Sequence, residues 1–115
     1  MKNELLTYPL NEKVRQALKK QVIEKIKEVY DPELPVNIYD LCLIRDVCVE
    51  ASGIVYIKMT LTTPGCPEAQ SLPRSVEKKA NEVAGVIETQ VDLVWNPPWS
   101  IEDLSEAARL QLGLI

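Results

Sequence analysis

Apolar residues between Asn11 and Tyr30 recur every three or four positions, with lysine and glutamate on the other faces: Val14, Leu18, Val22, Ile26 and Val29. This spacing predicts an amphipathic helix over residues 11–30, because one face of a helix repeats about every 3.6 residues. The helix cannot continue through Asp31-Pro32, since proline disfavours helical geometry in the residue before it, and Pro35 repeats the constraint. Residues 31–40 are therefore predicted to form an ordered loop.

Three later stretches alternate apolar and polar residues, which is the pattern of half-buried strands. The first two each place four apolar residues on one face: Leu41, Leu43, Val47 and Val49, then Val55, Ile57, Met59 and Leu61. Ser52-Gly53 supplies a tight turn between them, which predicts an antiparallel hairpin. The third stretch runs from Val86 to Trp95 and stops at Asn96-Pro97-Pro98, because proline cannot donate to a strand ladder.

Two further helices are predicted. After the hairpin, apolar residues again follow a helical spacing, at Leu72, Val76, Ala80 and Val83. Gly85 is predicted to end this helix. Pro73 lies inside this stretch and is expected to kink the helix or to separate a short first turn. A last helix is predicted from Ser100 to Gly113, packing through Leu104, Ala107, Ala108 and Leu110.

The predicted order of elements is α-β-β-α-β-α, and the length fits one domain of ordinary size. A helix between the second and third strands allows these two strands to pair in parallel through a right-handed crossover. We therefore expect a small α+β domain with a three-stranded mixed sheet, covered by helices on one face.

Charge and composition exclude several classes of function. The 115 residues carry 17 acidic and 13 basic side chains, a net charge of −4 that disfavours binding to nucleic acid. There is no secretory signal and no apolar run near the ~20 residues that span a bilayer, so we expect a soluble cytoplasmic protein. The chain has no histidine, which removes the usual base of nucleophilic dyads and a common zinc ligand.

Cys66 is the side chain best placed for chemistry. The three cysteines form no CxxC pair, and their odd number argues for reduced thiols. Pro67 suits the first position of the following helix, so Cys66 is predicted at or near the N-cap, where unpaired N–H groups and the helix dipole favour a thiolate. A thiolate ligates iron or attacks an electrophile, and Gly65 allows close approach. The alternative is a small residue that fills the start of a helix.

Cys42 and Cys48 are expected to be half-buried packing residues, as cysteines commonly are. They lie six residues apart on the first predicted strand. Their side chains therefore share a face but are separated by about 20 Å of extended chain, too far to ligate one metal ion.

Four polar residues are candidates for a supporting role. Asp31 and Glu33 flank Pro32 in the predicted loop, where they either supply oxygen ligands or a base near a metal, or fix a turn. Thr62 and Thr63 follow the second strand, where their hydroxyls either cap the next element or hydrogen-bond a ligand.

Trp95 and Trp99 bracket Asn96-Pro97-Pro98, a stiff corner with two large aromatic faces. Core packing is one interpretation of these tryptophans. A partner surface is the other, because tryptophan is enriched at the energetic centres of interfaces.

Four blocks of sequence, in order, resemble the SufT/PaaD-like family of iron–sulfur cluster assembly proteins, and most closely its bacterial SufT branch. The blocks are DPELPVNIYDL from Asp31, MTLTTPGCP from Met59, LVWNPPW from Leu93 and SEAARL from Ser105. The resemblance covers roughly residues 20–113, and we divide the chain accordingly into a partly helical N-terminal extension, 1–19, and an assembly domain, 20–115.

The resemblance implies a carrier or adaptor in the maturation of iron–sulfur proteins, working with the assembly machinery and recipient apo-proteins. It marks the cysteine of the Thr-Pro-Gly-Cys-Pro turn as the functional residue, the candidate ligand for metal or cluster, with the loop of the first block beside it. The residues carried over are Cys66, Asp31, Glu33, Asn37, Thr62 and Thr63.

Two positions depart from the family pattern. Cys42 stands where glycine is usual, which adds a thiol near the site, and Asn96 stands where aspartate is usual, which weakens any case for a carboxylate there. The extra C-terminal cysteines of the PaaD branch are absent from this sequence, so zinc binding is not implied.

An iron–sulfur cluster normally takes four thiolates, and Cys66 supplies one. Self-contained binding is therefore excluded, which leaves a labile cluster shared across a homodimer, or passage of iron, sulfide or cluster within a complex. A second hypothesis is a pure adaptor that binds no cluster and uses the Trp95–Trp99 corner. A third, ranked last because no histidine base exists, is a thiol enzyme such as a persulfide or acyl carrier. We expect no enzymatic activity.

Overall fold

The structure, a computed structural model, describes residues 7–31, 35–62 and 71–113. Its elements, in chain order, are helix α1 (Glu12–Ile26), strand β1 (Ile44–Val49), strand β2 (Ile54–Met59), helix α2 (Ser71–Asn81), strand β3 (Glu88–Leu93), a 3-10 turn (Ile101–Asp103) and helix α3 (Glu106–Gln111). This order confirms the predicted α-β-β-α-β-α arrangement and the α+β class.

The three strands form one mixed sheet in the order β1-β2-β3. β1 and β2 are an antiparallel hairpin, whereas β2 and β3 run parallel, with Met59 beside Leu93. A parallel pair needs a long connection, and α2 provides it. The predicted sheet is therefore confirmed, and the carboxyl ends of β2 and β3 meet at one edge of the molecule.

The two faces of the sheet differ in polarity, as expected when helices cover only one of them. The covered face is apolar and almost fully buried along its centre, at Val55, Ile57 and Met59. α1 packs over β1, and α2 packs over β3 and against α1. The open face carries exposed polar and charged side chains: Asp46, Cys48, Lys58, Glu88, Gln90 and Asp92.

Helix α1 begins where the apolar pattern predicts but ends earlier. The Asn11 side chain caps it by accepting a hydrogen bond from the Val14 amide at 2.8 Å. It ends at Ile26 rather than Tyr30, because the chain tightens into a turn in which the Val29 amide donates to the Ile26 carbonyl at 2.9 Å. Val29 nevertheless stays buried, so the pattern identified a core residue correctly outside the helix.

Charged side chains tie α1 and the turn after it to α2. Lys79 Nζ lies 2.9 Å from Glu28 Oε1, and Lys25 Nζ lies 3.3 Å from Glu82 Oε1. The hydrogen bond from Lys79, together with the Lys25 charge, lowers the pKa of Glu28 below its ordinary value. The pairs are exposed, so they contribute orientation more than stability.

The prediction that Pro73 kinks or splits its helix is wrong for the described residues. α2 is continuous from Ser71 to Asn81, and Pro73 lies in its first turn. Backbone N–H groups in a first turn have no acceptor within the helix, so a proline there removes no helical hydrogen bond.

The single helix predicted over residues 100–113 is also wrong, because two successive caps divide the segment. Ser100 and Asp103 form a reciprocal capping box around the 3-10 turn, and the Ser105 hydroxyl then accepts from the Ala108 amide at 3.1 Å to begin α3. Leu104 and Ala108 are buried as predicted, whereas Ala107 and Leu110 are exposed.

The described part of the N-terminal segment packs on the sheet. Leu10 is 3% exposed and joins the core, and its amide donates to the Ala51 carbonyl at 2.8 Å. The Tyr8 hydroxyl donates to the Gly85 carbonyl at 2.7 Å. None of the helices in the described ranges is both long and apolar enough to cross a membrane.

Candidate functional site

The described members of the predicted site lie in the loop between α1 and β1 and in the segments that follow β2 and β3 at one edge of the sheet. Thr62 follows β2 and is half-buried, and Trp95 follows β3. The Val94 amide donates to the Met59 carbonyl at 2.8 Å, which keeps the two strands paired up to this edge. A surface groove lined by Tyr30 and Ser71 brings the chain just before Asp31 beside the start of α2.

The loop that carries Asp31 is closed by backbone pairing. Tyr30 and Asn37 form an isolated antiparallel bridge, and the Ile38 amide donates to the Val29 carbonyl at 2.9 Å. Val36 and Ile38, in the second half of the loop, are buried in the core. Asp31 is 6% exposed, so this carboxylate is held at the base of the loop rather than extended into solvent.

Asn37 has a structural role that sequence reasoning missed. Its Oδ1 accepts from the Asp40 amide and its Nδ2 donates to Asp40 Oδ2, both at 2.9 Å. Both ends of the amide are therefore used to hold the turn from residue 37 to 40. The Asn-x-x-Asp spacing was the available signal, since asparagine commonly bonds backbone groups a few residues ahead in turns.

The C-terminal segment is hydrogen-bonded to the same turn. Trp99 Nε1 donates to the Leu41 carbonyl at 2.6 Å, and the Ser105 hydroxyl reaches the Asp40 carbonyl at 3.5 Å. Trp99 is half-buried and packs against the core, whereas Trp95 is 40% exposed. The two tryptophans thus have different environments, and only Trp95 offers a large free face to a partner.

The prediction that Cys42 and Cys48 are half-buried on one strand is wrong in two respects. β1 begins at Ile44, so Cys42 lies in the preceding turn, with a left-handed φ of 61°. Cys48 is in the strand but exposed, on the open face and opposite Tyr56. The predicted alternation itself is confirmed, because Leu41, Leu43, Val47 and Val49 are all buried, although a bulge lies between Ile44 and Asp46.

The Cys42 thiol is poorly suited to act as a resting thiolate. Partial burial raises its pKa above the ordinary value, and the nearby Asp103 carboxylate adds to the effect. Desolvation and a like charge both disfavour the anion. Cys42 is therefore a half-buried neutral thiol next to the Asn37–Asp40 turn.

We expect the left-handed backbone at Cys42 to make glycine preferable there. A residue with a Cβ in this conformation costs roughly 1–2 kcal/mol, while glycine adopts it freely. Cys42→Gly should therefore have a free energy of unfolding about 1 kcal/mol higher than Cys42→Ala, measured by urea denaturation. Both variants lose the thiol, so equal stabilities, or a less stable glycine variant, would contradict backbone strain at this position.

Four predicted site residues, Glu33, Thr63, Gly65 and Cys66, lie outside the described residues. Within the ranges that are described, no three cysteine, aspartate or glutamate side chains are grouped so that they could hold a metal ion.

The chain is similar to known proteins over most of its length. Residues 19–93 match the family described as "Iron-sulfur cluster assembly protein". A "Fe-S protein maturation auxiliary factor" of Porphyromonas gingivalis is 44% identical over 82% of this chain and 90% of its own. The "Fe-S protein maturation auxiliary factor SufT" of Staphylococcus aureus is 36% identical over 75% of this chain and 98% of its own.

A solved structure shows the same fold. The DUF59 domain of unknown function from Bacillus anthracis aligns with a TM-score of 0.83 and 37% identity, covering 91% of this chain and all of that one. The family match and the relatives span well over half of the sequence, which confirms the resemblance seen in the four sequence blocks. The chain belongs to the SufT/PaaD-like family of iron–sulfur cluster assembly proteins.

Proposed function

We propose that this protein is a carrier or adaptor in the maturation of iron–sulfur proteins, with the thiolate of Cys66 as its functional group. The observation that supports this most directly is a surface groove lined by Tyr30, the residue just before Asp31, and by Ser71. β2 ends shortly before Thr62, at the carboxyl edge of the sheet, and α2 begins at Ser71. Cys66 lies in sequence between Thr62 and Ser71.

Covalent connection limits how far Cys66 can lie from this edge. It is four residues from Thr62, so its Cα is within about 14 Å of that of Thr62, given a reach of ~3.5 Å per residue. α2 is eleven residues long, and its positive end favours an anion nearby. The predicted place of Cys66 before this helix therefore supports a thiolate that can ligate iron.

The cluster would be cargo rather than a resident cofactor of this protein. One thiolate cannot complete a cluster that takes four, and the raised pKa of Cys42 makes it a weak second ligand. Cys48 pairs with Tyr56, three residues before the end of β2, which places it roughly 10 Å from the site edge. The remaining ligands would come from a second copy, from a partner or from small molecules, and such incomplete ligation favours release to a recipient protein.

The same proposal implies a non-enzymatic protein of the cytoplasm that works with the assembly machinery and recipient apo-proteins. Cys42 and Cys48 are both free thiols, as expected in a reducing compartment. No histidine is available as a base for covalent catalysis.

Anaerobic reconstitution with ferrous iron and sulfide, followed by desalting, tests direct ligation. We expect the native protein to retain visible cluster absorbance, with iron and acid-labile sulfide, and Cys66→Ala to retain at least about tenfold less. Each ligand thiolate lost from a labile site removes a strong metal bond. Cys48→Ala is the matched control, because it removes an exposed cysteine away from the site edge, and it should retain the cluster.

A cluster content that is the same in the native protein, Cys66→Ala and Cys48→Ala would contradict direct ligation by Cys66. It would instead favour the adaptor hypothesis, for which the exposed face of Trp95 is the supporting observation. In that case Cys66→Ala should still bind recipient proteins, while Trp95→Ala should not.

A further inference from the structure

The outer edge of β1 is an unpaired sheet edge. The Glu50 amide donates to the Ile54 carbonyl at 2.9 Å, so the even-numbered residues of β1 face β2 in the antiparallel ladder. The N–H and C=O groups of Val47 and Val49 must therefore point away from β2. Within the described ranges no other strand pairs with β1, which leaves these groups available to an added strand.

Two adjoining grooves follow this edge, between β1 and α1. One has a volume of about 280 Å³ and is bordered by Arg15 and Val49, and the other has about 160 Å³ and is bordered by Arg45. Lys19, Asp46 and Val47 border both. We refer to the two together as the β1 groove, which runs the length of the strand.

Basic side chains of the β1 groove have unused hydrogen-bonding capacity. Arg15 Nε and Arg45 Nη2 are shielded from solvent but donate no hydrogen bond. Lys19 and Arg45 form no ion pair with any described residue. Shielded guanidinium donors without acceptors are costly, so an incoming carboxylate would be stabilised there.

Two acidic side chains, Glu12 and Asp46, also border the groove. Glu12 lies 3.8 Å from Arg15 Nη2 and so occupies one part of that guanidinium, but not Nε. Asp46 is exposed at the border with the open face. Three basic groups against two acidic ones leave a locally positive strip in a chain whose net charge is −4.

We propose that the β1 groove binds an extended segment of a partner protein that has acidic residues at alternate positions and adds as a fourth strand to β1. Arg15 and Lys19 are one helical turn apart, about 6 Å along α1. Alternate residues of an extended strand are about 6.6 Å apart and point to the same face. Two acidic residues of the segment would therefore meet Arg15 and Lys19, while its backbone pairs with Val47 and Val49.

Charge argues against a second copy of this chain as the occupant. Two β1 strands paired edge to edge would bring the positive strip of one chain, with Arg15, Lys19 and Arg45, against the same strip of the other. Like charges facing each other across paired strands are destabilising. An acidic partner segment avoids this conflict, and its binding does not involve Cys66.

A synthetic ten-residue peptide alternating glutamate with threonine, labelled with fluorescein, is the probe. Its fluorescence anisotropy should rise in a saturable titration with the full chain. Arg15→Gln/Lys19→Gln should weaken binding at least about tenfold, the effect of losing roughly 1.4 kcal/mol of charge-assisted hydrogen bonding. The control Lys13→Gln/Lys20→Gln removes the same charge from exposed positions of α1 outside the groove and should bind normally.

Amide hydrogen exchange followed by NMR tests the strand addition. Saturating peptide should slow exchange at Val47 and Val49 and leave Cys48, whose N–H already faces β2, unchanged. Equal weakening by the two double variants, or no protection at Val47 and Val49, would overturn the proposal. So would a concentration-dependent dimer that Arg15→Gln/Lys19→Gln strengthens, because this result would assign the edge to a second copy. None of these outcomes bears on cluster binding by Cys66.

Discussion

Replacement of Trp99 by alanine is expected to lower the free energy of unfolding by about 3 kcal/mol. The indole packs against the core, and its Nε1 donates to the Leu41 carbonyl at 2.6 Å. Removing a packed tryptophan typically costs about 3–5 kcal/mol, and the half-buried position of this one places it at the low end. Urea denaturation monitored by circular dichroism measures the change.

Two companion variants separate the contributions of Trp99. Trp99→Phe retains most of the packing but loses the donor to Leu41, and should cost about 1 kcal/mol. Trp95→Ala removes a tryptophan that is 40% exposed, and should cost well under half as much as Trp99→Ala. If Trp95→Ala proved as destabilising as Trp99→Ala, the conclusion that Trp99 packs against the core while Trp95 is free to contact a partner would be wrong.

Replacement of Ile57 by alanine is expected to cost about 4 kcal/mol, the largest effect among these predictions. Ile57 is 1% exposed in the central strand, where it pairs with Val47 on one side and Val91 on the other. A cavity there cannot be filled from either neighbouring strand without shifting the sheet, and isoleucine-to-alanine changes in cores cost about 2–5 kcal/mol. The same urea experiment provides the measurement.

A graded series tests the cavity explanation at Ile57. Ile57→Val removes one methylene and should cost about 1 kcal/mol. Lys58→Ala, one residue along on the exposed face, should change the free energy of unfolding by less than about 0.5 kcal/mol. A loss at Lys58 comparable to that at Ile57 would mean that stability here does not follow burial.

Much of the fold could be predicted because period-two and helical patterns report directly on which residues are buried. Val55, Ile57 and Met59 were assigned to the covered face by alternation alone, and all three are almost fully buried. The errors arose where local polar bonds override the apolar pattern. The caps at Ser100 and Ser105 divide one predicted helix into two pieces, and neither cap changes the spacing of apolar residues.

The candidate site was only partly predictable, for a different reason. The Asp31 loop, the end of β2 and the Trp95–Trp99 corner could be named from sequence blocks, but their contacts join residues far apart in the chain. The hydrogen bond from Trp99 to Leu41 joins residues 58 positions apart, and no local sequence pattern predicts it. The turn that holds Cys42 in a left-handed conformation before β1 likewise leaves no mark on the alternation of apolar residues.

The attachment of Trp99 to Leu41 also bears on where a shortened version of this protein could end. The family match stops at residue 93, just at the close of β3. A chain cut there would leave the Leu41 carbonyl without its indole donor and would uncover core surface now shielded by Leu104 and Ala108. The segment from Val94 to Leu112 therefore belongs to the minimal folding unit, although it lies past residue 93, where the family match ends.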